Sequence, residues 1–413
     1  MSLPIFNPVS PLAPLAVLIV ALATVKVLAL CFGAPSAAGR FTGIDGLRGY
    51  LALFVFVHHS CIWYFYLRTS QWLVPPSTFF TQLGQSSVSF FFMITGFLFS
   101  EKILANRTKG IDWLKLYVSR VLRLAPLYLF AMVLLMCIVA VLTGGTLNES
   151  PGALLTNVLT WLGFAVAGMP DVNGLANTHI IVAGVPWTLA YEWLFYLSLP
   201  LLAALIGAMP SWPVLAIGIM GVLGAIVLHP ELRMLSFTSG IATAVLIRYD
   251  TFRRLASTPA ASVLAIATTV LAVTVFPKSY LHFALLSASF ALIAGGATLF
   301  GTLGSAVSRM LGEITYSLYL LHGLVLFTLF HFVIGARHAA AFSPLEHWLI
   351  IVLTVPVLIT LCFATYSLIE KPAMHSTGRV TDWLRERARV ARLRLVLRLV
   401  FRQRSRVEVH KDA

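Results

Sequence analysis

The segment DGLRGYLALFVFVHHSCIWYFYL, Asp45–Leu67, decides how this chain folds. An aspartate and an arginine stand at one end, and almost nothing but aliphatic and aromatic side chains follows as far as a histidine pair. A helix crossing a hydrocarbon slab about 30 Å thick needs roughly 20 apolar residues, and this run supplies them. Equivalent runs recur along all 413 residues, of which 59% are hydrophobic and 11% charged. Too little polar surface remains to solvate a water-soluble fold. The runs are also longer than the roughly 9 to 11 alternating residues of a barrel strand, so the expected fold class is all-α, a polytopic membrane helical bundle.

Candidate crossings fall near residues 12–32, 47–67, 79–100, 120–143, 187–206, 212–229, 234–249, 256–276, 280–302, 311–333 and 346–368. This predicts about eleven transmembrane helices. The shorter run 153–166 lies between GGTLNESPG and GMPDVNGLANTH and is read as interfacial or re-entrant. If it does not cross, EKILANRTKG (101–110), RYDTFRR (248–254), Arg40, Arg309 and the C-terminal tail all fall on one side, as basic cytoplasmic loops should. If it does cross, RYDTFRR moves to the opposite side and the bias is broken. The N-terminus is therefore expected outside and the C-terminus inside, in a plasma membrane of bacterial inner-membrane type. The first helix has no basic segment before it, its first Lys or Arg being Lys26, and is read as retained.

From Arg379 to the end there are eleven Arg or Lys against four Asp or Glu, a composition suited to anionic lipid. After a membrane bundle it argues against nucleic acid as partner. The four cysteines sit in apolar runs with no CxxC pair, so neither a disulfide framework nor a metal site is expected.

Ionisable residues inside membrane helices are costly unless they face a partner or water, which makes each one a functional candidate. Arg48 and His59 are eleven residues apart, close to three full turns, so they share a face with His59 roughly 16 Å deeper. His58 points about 100° away from His59 and is read as bonding across helices. In YVSRVLRLAPLY (117–128), Arg120 and Arg123 lie three apart; with Arg48 and Lys115 they would form an anion site for phosphates. Glu192, in GVPWTLAYEWLFYLSLP (184–200), needs a partner, and His59 is an attractive one. His322, in LGEITYSLYLLHG (311–323), either lines the same cavity or is satisfied in the core.

These elements, in order, resemble the integral membrane O-acyltransferases of acyltransferase family three, which decorate polysaccharides, nodulation factors, peptidoglycan and some antibiotics. The family's Arg, ten residues, then His is met by Arg48 and His59. SVSFFFMITGF (87–97) is similar to its phenylalanine-rich helix, with Ser87 for a glycine and Thr95 for a serine. Arg120, Arg123 and Pro126 supply its Arg-x-x-Arg before a proline, and WTLAYEWLFY, YSLYLLH and IEKP follow. The resemblance implies a ten-helix acyltransferase domain over 41–372, preceded at 1–40 by an additional helix and linker and followed at 373–413 by a basic tail.

It also implies an acyl-CoA donor, acetyl-CoA foremost, with no metal. Arg48, Arg120, Arg123 and Lys115 would hold the donor's phosphates. His59 would act with Glu192 and Arg48 in catalysis, and Trp187, Tyr191 and His322 would contact substrate. The implied acceptor is a hydroxyl of an extracytoplasmic glycan or glycolipid. A transporter or flippase of a lipid-linked sugar, or an acyltransferase acting on a small lipid or secondary metabolite, would use the same buried charges.

Overall fold

The computed structural model describes residues 7–36, 41–228, 234–277 and 279–390. Helices run through them in the order α1 (Leu12–Phe32), α2 (Thr42–Thr69), α3 (Thr78–Asn106), α4 (Trp113–Leu142), α5 (Pro151–Leu162), α6 (Trp187–Leu205), α7 (Trp212–Leu228) and α8 (Leu235–Leu246). Then come α9 (Asp250–Ala256), α10 (Pro259–Thr274), α11 (Tyr280–Gly295), α12 (Ala306–Glu313), α13 (Thr315–Thr328), α14 (Ala336–Ala340), α15 (Pro344–Thr365) and α16 (Lys371–His375). No strand occurs among the described residues. Arg40 and residues 391–413, most of the basic tail, lie outside them.

Local chemistry sets the helix starts. Ser77, Ser150, Thr258, Ser279, Ser305 and Ser343 each accept a first-turn backbone N–H at the start of α3, α5, α10, α11, α12 and α15. Proline follows the cap in α5, α10 and α15, where its missing N–H costs nothing. Ser343 and Glu346 complete a reciprocal capping box.

Each of the eleven apolar runs is helical over most of its described length, which establishes the polytopic all-α bundle. Seven helices among the described residues are long and apolar enough to cross a membrane, and α9 with α10, bent by 78°, would make an eighth. Three further apolar helices are shorter, within Trp212–Gly224, Leu235–Leu246 and Tyr280–Gly295. Twelve residues of helix span only about 18 Å, so eleven crossings is more than helix length by itself supports. The run expected over 280–302 stops as a helix at Gly295. Gly296 takes φ 137°, and Leu299 and Phe300 also take positive φ, a turn that an unbroken helix excludes. The run at 153–166 forms α5, a helix of 12 residues.

The chain divides into two compact units, Met1–Ile111 with Leu127–Tyr366, and Asp112–Pro126 with Ser367–Ala413. In the first, α2 and α13 are the central helices, with 67% of each span buried, whereas α1 is buried over only 22% of its own. α1 presents Val17, Ala21 and Val25 inward and Leu15, Ile19 and Leu30 outward. α15 likewise leaves Leu349, Leu353 and Val357 exposed, an apolar surface that needs lipid rather than water beside it.

α2 meets α12 backbone to backbone. A Cβ on Gly49 would lie 2.6 Å from the Leu311 side chain and 2.9 Å from the Gly312 nitrogen, and one on Gly312 would strike the Asp45 carbonyl. Small residues at this crossing let the two helices approach closely. In the second unit, Asp112 accepts the Lys115 backbone N–H at the start of α4 and pairs with Arg385 at 2.5 Å.

Candidate active site

α2 carries His59 to the wall of a cavity of about 490 Å³ within the first unit, a volume suited to a small-molecule site. α3 lines it with Gln82, Gly84, Gln85, Val88 and Ser89, of which the two glutamines and the serine bring polar side chains to the wall. Val185, Trp187, His282 and Tyr319 close other sides. The long segment between α4 and α6 supplies part of this wall, because Thr178–Val182 forms a buried 3-10 turn and leads into Val185. Thr188 Oγ1 lies 2.9 Å from the Tyr319 hydroxyl, and Tyr319 also donates to the Val185 carbonyl at 3.4 Å.

His59 Nδ1 is 3.0 Å from the Val55 carbonyl and 3.0 Å from His322 Nε2. The Trp72 ring lies nearly parallel to His59, at 15°, with centroids 6.3 Å apart. His58 donates from Nδ1 to the Phe80 carbonyl of α3 at 2.8 Å, bonding across helices as expected, and also faces the cavity. Gly84 makes room for it, since a Cβ there would lie 2.6 Å from the His58 ring.

His322 is fully buried behind His59 and is not among the residues lining the cavity. It therefore fits a role in the core more closely than the expected contact with substrate.

Glu192 does not take His59 as its partner. Its Oε1 accepts hydrogen bonds from Tyr196 at 2.7 Å and Thr95 at 3.2 Å, which ties α6 to α3. The helix direction that placed Glu192 one turn into α6 says nothing about which neighbour that face meets. Tyr191 packs against Phe92, with ring centroids 5.8 Å apart, and only Trp187 of the two expected aromatic contacts lines the cavity.

Arg48 is largely buried, with 17% of its side chain exposed. It faces Asp45 at 3.5 Å and donates to the Gly312 carbonyl at 3.4 Å. Lys115, Arg120 and Arg123 belong to the second unit. There Arg123 Nη1 is 2.9 Å from the Met374 sulfur, and Arg120 Nε is 3.4 Å from the Ser119 hydroxyl.

Sequence reasoning passed over His282, whose Nδ1 donates to the Ala272 carbonyl at 3.0 Å and whose Nε2 lies 3.4 Å from the Ser86 hydroxyl. Ser86 in turn donates to Gln82 at 2.9 Å. The signal was available in TQLGQSSVS (81–89), where polar side chains recur at helical spacing inside a membrane helix.

Comparison with known proteins places the chain in a family. The family described as "Acyltransferase domain", of the family-three type, matches residues 41–367, which include α2 with Arg48 and His59. Acyltransferase MdmB of Streptomyces mycarofaciens is 25% identical over 394 residues, covering 84% of this chain and 94% of its own length. No solved structure matches. With its apolar helices and a family match spanning most of its length, the chain belongs to acyltransferase family three and is an integral membrane acyltransferase.

Proposed function

We propose that this acyltransferase moves an acyl group, foremost acetyl, from cytoplasmic acyl-CoA to a hydroxyl of an extracytoplasmic glycan or glycolipid. The observation that carries this reading is His59 on the wall of a cavity that also offers glutamine, serine and histidine side chains, the groups that orient a polyhydroxyl acceptor. Trp187 supplies a flat apolar face against which a sugar ring can lie.

His59 takes the proton of the acceptor hydroxyl as the oxygen attacks the thioester carbonyl. The new C–O bond forms as the C–S bond breaks, and the proton then passes to the departing CoA sulfur. Direct transfer needs no stable acyl-enzyme. Arg48 in the first unit, and Lys115, Arg120 and Arg123 in the second, are each proposed as contacts for phosphates of a donor arriving from the cytoplasm. Glu192 keeps α6 against α3 through Thr95 and so preserves the cavity wall. The additional helix and linker (1–40), the acyltransferase domain (41–372) and the basic tail (373–413) are its parts, in a helical bundle in the inner membrane with the N-terminus outside.

The test is transfer of label from acetyl-CoA in native membrane vesicles, which supply the acceptor. His59→Ala is expected to abolish incorporation into glycan and lipid fractions while the protein remains folded. Unchanged incorporation would overturn the assignment.

A further inference from the structure

The reading of His59 as base leaves open which of its nitrogens does the work, and two backbone carbonyls answer this. His322 Nδ1 lies 3.0 Å from the Leu318 carbonyl, which can only accept, so this nitrogen carries the hydrogen. In the neutral ring Nε2 then has a lone pair, and it sits 3.0 Å from His59 Nδ1. His59 Nδ1 must be the donor to it. The Val55 carbonyl, also 3.0 Å from His59 Nδ1, makes the same demand independently. Reversing the chain would leave two lone pairs facing each other at Val55 and would require a doubly protonated His322 in a fully buried position.

We propose that His322 is a positioning residue that fixes His59 in its Nδ1–H form, so that Nε2 faces the acceptor as the base. His59 Nε2 makes no hydrogen bond within the described residues, and His59 is the member of the pair on the cavity wall. When Nε2 takes the hydroxyl proton, the imidazolium keeps its Nδ1–H bonded to His322 Nε2 and the Val55 carbonyl, two neutral acceptors that stabilise the new charge. The chain stops at Leu318, whose carbonyl cannot pass a proton onward. The proton therefore returns from His59 Nε2 to the CoA sulfur rather than leaking through the core. Phe56 and Tyr319 flank the His322 ring edge-on, each with centroids 6.3 Å away, and hold it in this orientation.

This inference rests on the assignment of His59 as base, and the experiment separates the two. Full-length enzyme in native membrane vesicles is assayed with labelled acetyl-CoA for kcat and KM in three variants. His322→Phe fills the space but offers no acceptor, and should lower kcat on the order of 10²-fold with KM for acetyl-CoA little changed. His322→Gln, whose Oε1 can accept from His59, should recover activity to within roughly tenfold of the parent. Equal losses in the two, or parental kcat in His322→Phe, would overturn the proposal while an inactive His59→Ala leaves the base assignment standing. An active His59→Ala would overturn both. Nitrogen-15 NMR of histidine-labelled parent protein is independent of any variant's folding. It should show His59 protonated at Nδ1 and bare at Nε2, and the opposite tautomer would sink the idea.

Discussion

Gly84 stands where only hydrogen fits, because the His58 ring would come within 2.6 Å of any Cβ there. The His58 ring is held by its bond to the Phe80 carbonyl and cannot swing away without leaving its own buried Nδ1–H short of an acceptor. Gly84→Ala should therefore destabilise the protein by about 1–3 kcal/mol and shrink the cavity. A lowered thermal midpoint with weaker acceptor incorporation would be the observable. If Gly84→Ala matches the parent in both, the packing of α2 on α3 is looser than described. Glu192 offers a contrasting case at the same scale. Its bonds to Tyr196 and Thr95 make Glu192→Gln a mild change in kinetics, since the amide oxygen still accepts both. A loss as deep as that of His59→Ala would restore Glu192 to the chemistry.

At the scale of elements, the crossing of α2 and α12 governs where Arg48 sits. Gly49 and Gly312 allow the backbones to touch, and the Gly312 carbonyl is itself an acceptor for Arg48. Gly312→Val should push the helices apart, displace Arg48 and cost about 1–3 kcal/mol of stability. The kinetic mark would be a raised KM for acetyl-CoA in the fraction that still folds. An unaltered KM would detach Arg48 from the donor. The sequence revealed the helices themselves well, since the length and apolarity of a run are local signals. It did not reveal that α11 ends at Gly295, because an apolar stretch reads the same whether it continues as helix or turns through Leu299 and Phe300.

For the whole molecule, charge along the chain carries the prediction. The basic clusters at 101–110 and 248–254 and the tail set the expected orientation, so a reporter fused after Ala413 should read cytoplasmic and one fused before Met1 external. Reporters with the reverse sidedness would invert the proposed route of the donor. Arg120→Ala combined with Arg123→Ala should raise KM for acetyl-CoA on the order of 10-fold or more, through the loss of two charge-assisted contacts, whereas Glu192→Ala should not. The opposite pattern would move the donor away from those arginines.

Sequence by itself determined that the chain is a helical membrane bundle, because the hydrophobic demand of the bilayer is written residue by residue into runs of apolar side chains. It also singled out Arg48, His59 and the ordered motifs of an acyltransferase, whose spacing on single helices is fixed by helical geometry. Which buried groups meet across helices was a tertiary decision. His322, 263 residues from His59, became its partner, and Glu192 turned to Thr95 and Tyr196. One helix sets the direction of its own side chains, but only the packing of several decides what stands opposite them.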